Sequence, residues 1–440
     1  MNDRIWVRTL CALLGDRRMG MVVNMTHASS STAEAVDLVL KAIVRRPELD
    51  NGTGGFHVSR PHSGAEIHFE GSALLDAALF IRRNASAHLQ SLSVDDLQQM
   101  LVKFMGDEMD LFRFDWWSLP DNASLADHVT AEERAELVSA MGRSPIFAPP
   151  QILFLYPVTI ANVAAPFRSD HFFLIPPREL PPELARWYDA DEVMPEKHPP
   201  TPMHVGMALT DVSCWLGVRA PVGETALRMR NAILGALALL PHPMERYTFS
   251  MRAVPPGYMS FGSTATYHSG AAATPALSEK LVLGPADRGW METLARLLTS
   301  DNGGDVKALL ALQYFYRSWV RDAATRVGPL CGALDALFGD QNAATQAMVD
   351  AVGSHLGSSF DAARARRLAK LRAGVIHGGA PNIYEASVYH RYYVDYRQDP
   401  IRDLEIATAS CLRTTIFGDG MVERSHTHAD LIRQTTGRIV

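Results

Sequence analysis

A change of pattern near Leu283 constrains this chain most. Before it, short runs with alternating or continuous apolar character sit between prolines and glycines. After it, the apolar residues recur at helical spacing almost to Phe417. Ile152 to Val163 and His171 to Ile175 read as strands bounded by prolines, and Met203 to Val218 as a strand pair. Thr248 to Ser263 adds further strand. Glu224 to Leu240 is a helix stopped by Pro241 and Pro243. Beyond Leu283 the expected helices are Asp287–Leu298, Asp305–Arg326, Leu330–Phe338, Ala343–Leu356, Phe360–His377 and Pro400–Phe417. The fold class that follows is α+β, a mixed N-terminal region over residues 1–285 and an all-α C-terminal domain over 286–440. A change of character near Pro149 allows two subdomains in the first region.

Closer to the N-terminus, Ala33–Arg46 is expected as an amphipathic helix with Ser29, Ser30 and Ser31 as cap candidates. Gly55–Glu70 alternates enough for strands. Ser93 is the cap candidate of a helix over residues 93–100. Pro176–Pro202 is proline-rich and charged, and reads as a loop.

At 440 residues and 47% apolar, the chain can bury a large core. Its net charge of −6 means that nucleic-acid contact requires a local basic patch. The four cysteines, Cys11, Cys214, Cys331 and Cys411, form no CxxC pair. Buried thiols in a reducing compartment are the expectation, with neither a zinc site nor a disulfide framework. No apolar run is long enough to span a bilayer and no signal peptide is evident, so a cytoplasmic protein without membrane contact is expected. P-loop and G-x-S-x-G patterns are missing from the sequence. His57, His62 and His68 lack the spacing of a helical zinc motif, and His426 and His428 lie in a polar tail. Trp116 and Trp117 read as a packing anchor.

Chemistry points instead to Arg372 and His377, in the run Leu371-Arg-Ala-Gly-Val-Ile-His-Gly-Gly379. Arginine is a fixed cation suited to phosphate, and histidine moves a proton near neutrality. Five helical residues advance about 7.5 Å and pass a full turn, so regular geometry does not align the two side chains. Gly374, Gly378 and Gly379 let the backbone bend or end there. A structural reading stands beside the catalytic one: a histidine at a helix C-terminus suits the helix dipole, and two glycines are a common stop signal.

Lys370-Leu-Arg-Ala-Gly-Val-Ile-His-Gly-Gly379 resembles the R-x4-HG helix end of the Apea-like HEPN domain, within the HEPN superfamily. Cys331-Gly-Ala-Leu-Asp-Ala-Leu-Phe338 resembles that family's upstream ALEaLF helix, and a last helix at Ile401–Phe417 fits the same order. The likeness spans about residues 305–420. It implies a helical bundle, RNA as substrate, no cofactor and no metal. Arg372 would hold phosphate, His377 would act as general acid/base, and Asp335 would orient one of them. It also implies a homodimer that pairs two motifs. Other members are non-catalytic. Ala373 stands where the ribonucleases carry a polar residue, and Asp335 where glutamate is usual.

Around this motif, Arg364, Arg366, Arg367, Lys370 and Arg372 make a basic run that reads either as an RNA-backbone track or as a solvated helix face. Five of the 12 tyrosines fall between Tyr384 and Tyr396. Tyr389, Arg391 and Tyr393, with Arg364, Arg367 and Lys370, form the candidate RNA-contact set. A short β-hairpin packed on the helices is the competing expectation for the tyrosine segment. The expected activity is that of an endoribonuclease in prokaryotic defence or a toxin-like system. Its N-terminal region would sense a trigger that the sequence does not name. The alternative is a binding-only module.

Overall fold

A computed structural model describes residues 25–44, 56–59, 66–85, 87–112, 119–120, 123–185, 211–241, 246, 252, 254–262, 265–319, 322–339, 344–356, 360–376 and 383–424. The fold is α+β. The chain forms two compact units, Met1–Pro150 and Gln151–Val440.

In the first unit, α1 (Met25–Ala42) leads into β1 (Ile43–Val44), followed by β2 (Phe56–Ser59) and β3 (Glu66–Phe69). The three strands make an antiparallel sheet in the order β1-β3-β2. Then come α2 (Gly71–Asn84), α3 (Val94–Glu108) and α4 (Ala131–Arg143). Helix α1 starts earlier than its sequence predicts. Ser29, Ser30 and Ser31 lie inside it, so they are not caps, and the β-branched Ile43–Val44 pair with β3 and leave the helix. Ser93 caps as expected: its hydroxyl accepts from the Asp96 amide at 3.1 Å, and the Asp96 carboxylate accepts from the Ser93 amide. Arg134 of α4 grips Asp37 of α1 with two 2.6 Å hydrogen bonds.

The second unit is built on a six-stranded antiparallel sheet. Its strands are β4 (Ile152–Val158), β6 (Phe167–Arg168), β7 (Phe172–Ile175), β8 (Cys214–Ala220), β9 (Tyr258–Phe261) and β10 (Ala265–His268). They lie in the order β10-β9-β4-β8-β7-β6. β5 (Ala161–Val163) and β11 (Leu281–Leu283) form a separate parallel pair. Residues 201–210, the first part of the expected strand pair, lie outside the described residues.

Alternation assigns the two faces of the large sheet. Leu153, Leu155, Phe173, Trp215 and Phe261 pack with Leu180 and Leu184 of the short helix α5 (Leu180–Leu184). Phe154, Tyr156, Leu216 and Val218 pack on the other side, where α6 (Gly223–Ala238) belongs to the same core.

After α7 (Arg288–Leu297) come α8 (Gly303–Trp319), α9 (Ala323–Phe338) and α10 (Ala344–Leu356). The last are α11 (Ala362–Ile376), α12 (Ser387–Tyr396) and α13 (Pro400–Leu412). Residues on both sides of 285/286 share one hydrophobic core. α6 and α8 approach closely at Gly235, where a Cβ would lie 2.1 Å from the Leu312 carbonyl oxygen.

Two helical expectations change. The predicted Asp305–Arg326 helix ends at Trp319, and Asp322 caps a new helix by accepting from the Thr325 amide at 3.1 Å. That helix continues through Pro329 to Phe338 and absorbs the separate Leu330–Phe338 segment. The tyrosine segment is a helix and not a hairpin. Val388, Tyr389, Tyr392 and Tyr396 all join the core at helical spacing, whereas a strand would turn Tyr389 to the opposite face from the other three.

Candidate functional site

Asp335 and Arg372 meet across α9 and α11. Each belongs to an amphipathic helix that turns Leu334 or Leu371 fully inward and leaves the charged neighbour half-buried at the edge. The Asp335 Oδ2 accepts from Arg372 Nε at 2.9 Å and lies 2.6 Å from Nη2. Both side chains keep partial exposure, 27% for Asp335 and 21% for Arg372. Cys331, one turn before Asp335, is fully buried. Burial first, and the Asp335 charge second, push its thiol up to about 12. His377 lies outside the described residues. The structure therefore joins Arg372 to Asp335, and α11 is described as far as Ile376.

The other sequence-predicted contacts divide into two groups. Arg364 turns inward. Its guanidinium pairs closely with Asp403 of α13 and lies 4.3 Å from the Phe360 ring centroid. The Tyr392 hydroxyl donates to the same Asp403 oxygen at 2.5 Å. Burial works against the charge of Arg364, but Tyr392 and Asp403 together raise its pKa above the usual arginine value. Arg367 pairs with Asp395 of α12. Tyr389 donates to Asp399 at 3.2 Å, and Asp399 also caps α13 through the Ile401 amide. Burial and the Asp399 charge push the Tyr389 hydroxyl up to about 12. These three side chains hold helices together. Lys370, Arg391 and Tyr393 are exposed.

Sequence reasoning missed a second polar pair. Ser260 Oγ and His268 Nε2 are 2.8 Å apart, at diagonal positions on β9 and β10, and the His268 ring stacks on Tyr258 at 4.5 Å. Only the strand register brings them together, and no local motif marks it. It also missed Arg246, which is buried against Glu405 and accepts through its carbonyl from Trp319 Nε1 at 2.9 Å.

Among the described residues, no group of three or more His, Cys, Asp or Glu side chains is placed to hold a metal ion. The side chains of His57 and His62, with Trp116, Trp117, His426 and His428, lie outside the described residues. Cys214, Cys331 and Cys411 are buried free thiols, and Cys11 lies outside the described residues. No described helix is long and apolar enough to cross a membrane.

No family model, curated protein or solved structure matches this chain.

Proposed function

We propose that this chain is a metal-independent endoribonuclease of HEPN type, acting in the cytoplasm in a defence or toxin-like system. The observation that carries the reading is the Arg372–Asp335 ion pair. The two segments behind the HEPN resemblance are distant in sequence, yet each supplies one partner of a single contact.

In this mechanism Arg372 neutralises the scissile phosphate and the charge that develops on it. His377 removes the proton from the 2′-hydroxyl, and O2′ attacks phosphorus. The P–O5′ bond breaks and the leaving oxygen takes a proton. The products are a 2′,3′-cyclic phosphate and a 5′-hydroxyl. Asp335 fixes the direction of the arginine. Pairing of two copies would bring two arginines and two histidines to one phosphate, and residues 1–285 would gate that step.

A second reading, a non-catalytic RNA- or protein-binding module, is favoured by different observations. Arg364, Arg367 and Tyr389 serve internal contacts, and Ala373 provides no polar group beside Arg372. Incubation of RNA with the full chain in EDTA separates the two. Under the nuclease reading the wild type cuts and both Arg372→Ala and His377→Ala do not. Cutting by His377→Ala at the wild-type level removes the mechanism. RNA binding without cutting supports the module.

A further inference from the structure

The edge of the large sheet brings a nucleophile and a base together on one face. The register aligns Val218, Phe154, Ser260 and Thr266 in a row across β8, β4, β9 and β10, and sets His268 opposite Tyr258. Paired residues project on the same side, so Ser260 and His268 share the face of Phe154, which α6 covers. That cover thins toward the edge. Val218 and Phe154 are buried, Ser260 is half-buried and Thr266 is exposed. Ser260 Oγ and His268 Nε2 thus meet at 2.8 Å beside the core and not within it, and His268 is also half-buried.

His268 is fixed from two sides. Its ring stacks on Tyr258 at 4.5 Å with 11° between the planes. Its carbonyl oxygen lies so near Gly257 that a Cβ there would stand 2.3 Å away, and Gly257 has a φ of 72°. Glycine suits both the contact and the angle. A hydroxyl bonded to the nitrogen of an oriented imidazole is the arrangement of an activated nucleophile. The same face carries a cation. The Arg230 guanidinium of α6 lies 5.2 Å from the Tyr156 ring centroid, and the Tyr156 and Tyr258 rings are 5.1 Å apart. Arg230 donates from Nε and Nη2 to the neutral Asn231 Oδ1, at 3.1 and 2.8 Å. Among the described residues no carboxylate pairs with it, so its charge is open to an anion.

We infer that Ser260, activated by His268, hydrolyses esters of small acids that carry a second, free carboxylate, which Arg230 holds. The Oγ proton passes to Nε2 as the bond from Oγ to the acyl carbon forms. The bond from that carbon to the alcohol oxygen then breaks, and the leaving oxygen takes the proton from Nε2. Water repeats the sequence: it gives a proton to Nε2 and attacks the acyl carbon. The bond to Oγ breaks, Ser260 recovers its proton and the acid departs. Strand rise and spacing put Ser260 roughly 8 Å from Tyr156, the ring under Arg230, so the carboxylate and the ester must be several bonds apart. None of these residues belongs to the Arg372–Asp335 site, and the inference does not rest on RNA cleavage.

The test treats the full chain with a fluorophosphonate probe and locates the adduct by peptide mass spectrometry. Ser260 should carry it, with a bond from Oγ to phosphorus in place of the P–F bond. Labelling should slow by about 10²- to 10⁴-fold in His268→Ala. His268→Gln keeps a hydrogen-bonding amide without the base, and should be as slow at the wild-type Tm. Hydrolysis of two esters then reads the substrate class: the p-nitrophenyl monoester of adipic acid, which is anionic, and p-nitrophenyl butyrate, which is neutral. Ser260→Ala should lose both activities. Arg230→Met should raise KM for the adipate ester by about tenfold or more and leave the butyrate ester unchanged. The inference is overturned by no adduct on Ser260, by labelling at the wild-type rate in both His268 variants, or by equal hydrolysis in the wild type and Ser260→Ala. Equal KM for the two esters in the wild type overturns the role of Arg230.

Discussion

Asp403→Ala should destabilise the second unit severely, and the reason lies in what it leaves behind. The Asp403 side chain is 5% exposed and that of Arg364 17%. Removing the carboxylate strands a guanidinium between the Phe360 and Tyr396 rings, at 4.3 and 5.2 Å, and takes the acceptor from the Tyr392 hydroxyl. Breaking a buried pair from one side costs about 3–5 kcal/mol. Replacing both charges, Arg364→Met with Asp403→Leu, should cost much less, since neither partner is then left alone. Urea unfolding of the wild type, Arg364→Met, Asp403→Leu and the double variant gives the coupling directly. If Asp403→Ala unfolds within about 0.5 kcal/mol of wild type, the size of an ordinary surface change, the pair is not structural. Arg364 would then return to the candidate RNA contacts.

Gly235→Ala should cost about 1–3 kcal/mol or more, because its Cβ would meet the Leu312 backbone at 2.1 Å and α6 and α8 would have to separate. Wild-type thermal stability in that variant would contradict the close approach. Alkaline pH should also weaken the fold. Burial pushes Cys331 and Cys411 up to about 12 from an ordinary 9.0, and pushes Cys214 up as well. Above about pH 9 the unfolded chain loses these protons and the folded chain keeps them, so stability falls as pH rises towards 12. Denaturant titrations at pH 8 and pH 10 check the sign. The same thiols should resist iodoacetamide in the native protein at pH 8 and react after unfolding.

The sequence carried the elements whose signals are local. Ser93 announced a helix cap, Pro241 marked the stop after α6, and the loss of strand pattern after Leu283 marked the helical part. It misjudged places where tertiary contacts choose between local options. The tyrosines of 384–396 alternate with polar residues, but Val388, Tyr392 and Tyr396 are drawn together by the core under them. Asp322 broke one expected helix because a cap outweighed continuous apolar spacing.

At the candidate site the sequence named Arg372 and Asp335, and the helices bring these two into contact. It grouped Arg364, Arg367 and Tyr389 with the RNA contacts because charge and aromaticity are visible in a sequence. Their partners Asp403, Asp395 and Asp399 are 39, 28 and 10 residues away, and only packing identifies them.

The most direct measurement of the central claim is the rate of RNA cleavage in EDTA by the wild type and by His377→Ala, with the product ends identified. A general acid/base contributes about 10²- to 10⁴-fold. The wild type should yield 2′,3′-cyclic phosphate and 5′-hydroxyl ends, and His377→Ala should be slower by that factor while still folded. Equal rates in the two proteins, or 3′-hydroxyl ends from the wild type, would contradict the proposed chemistry.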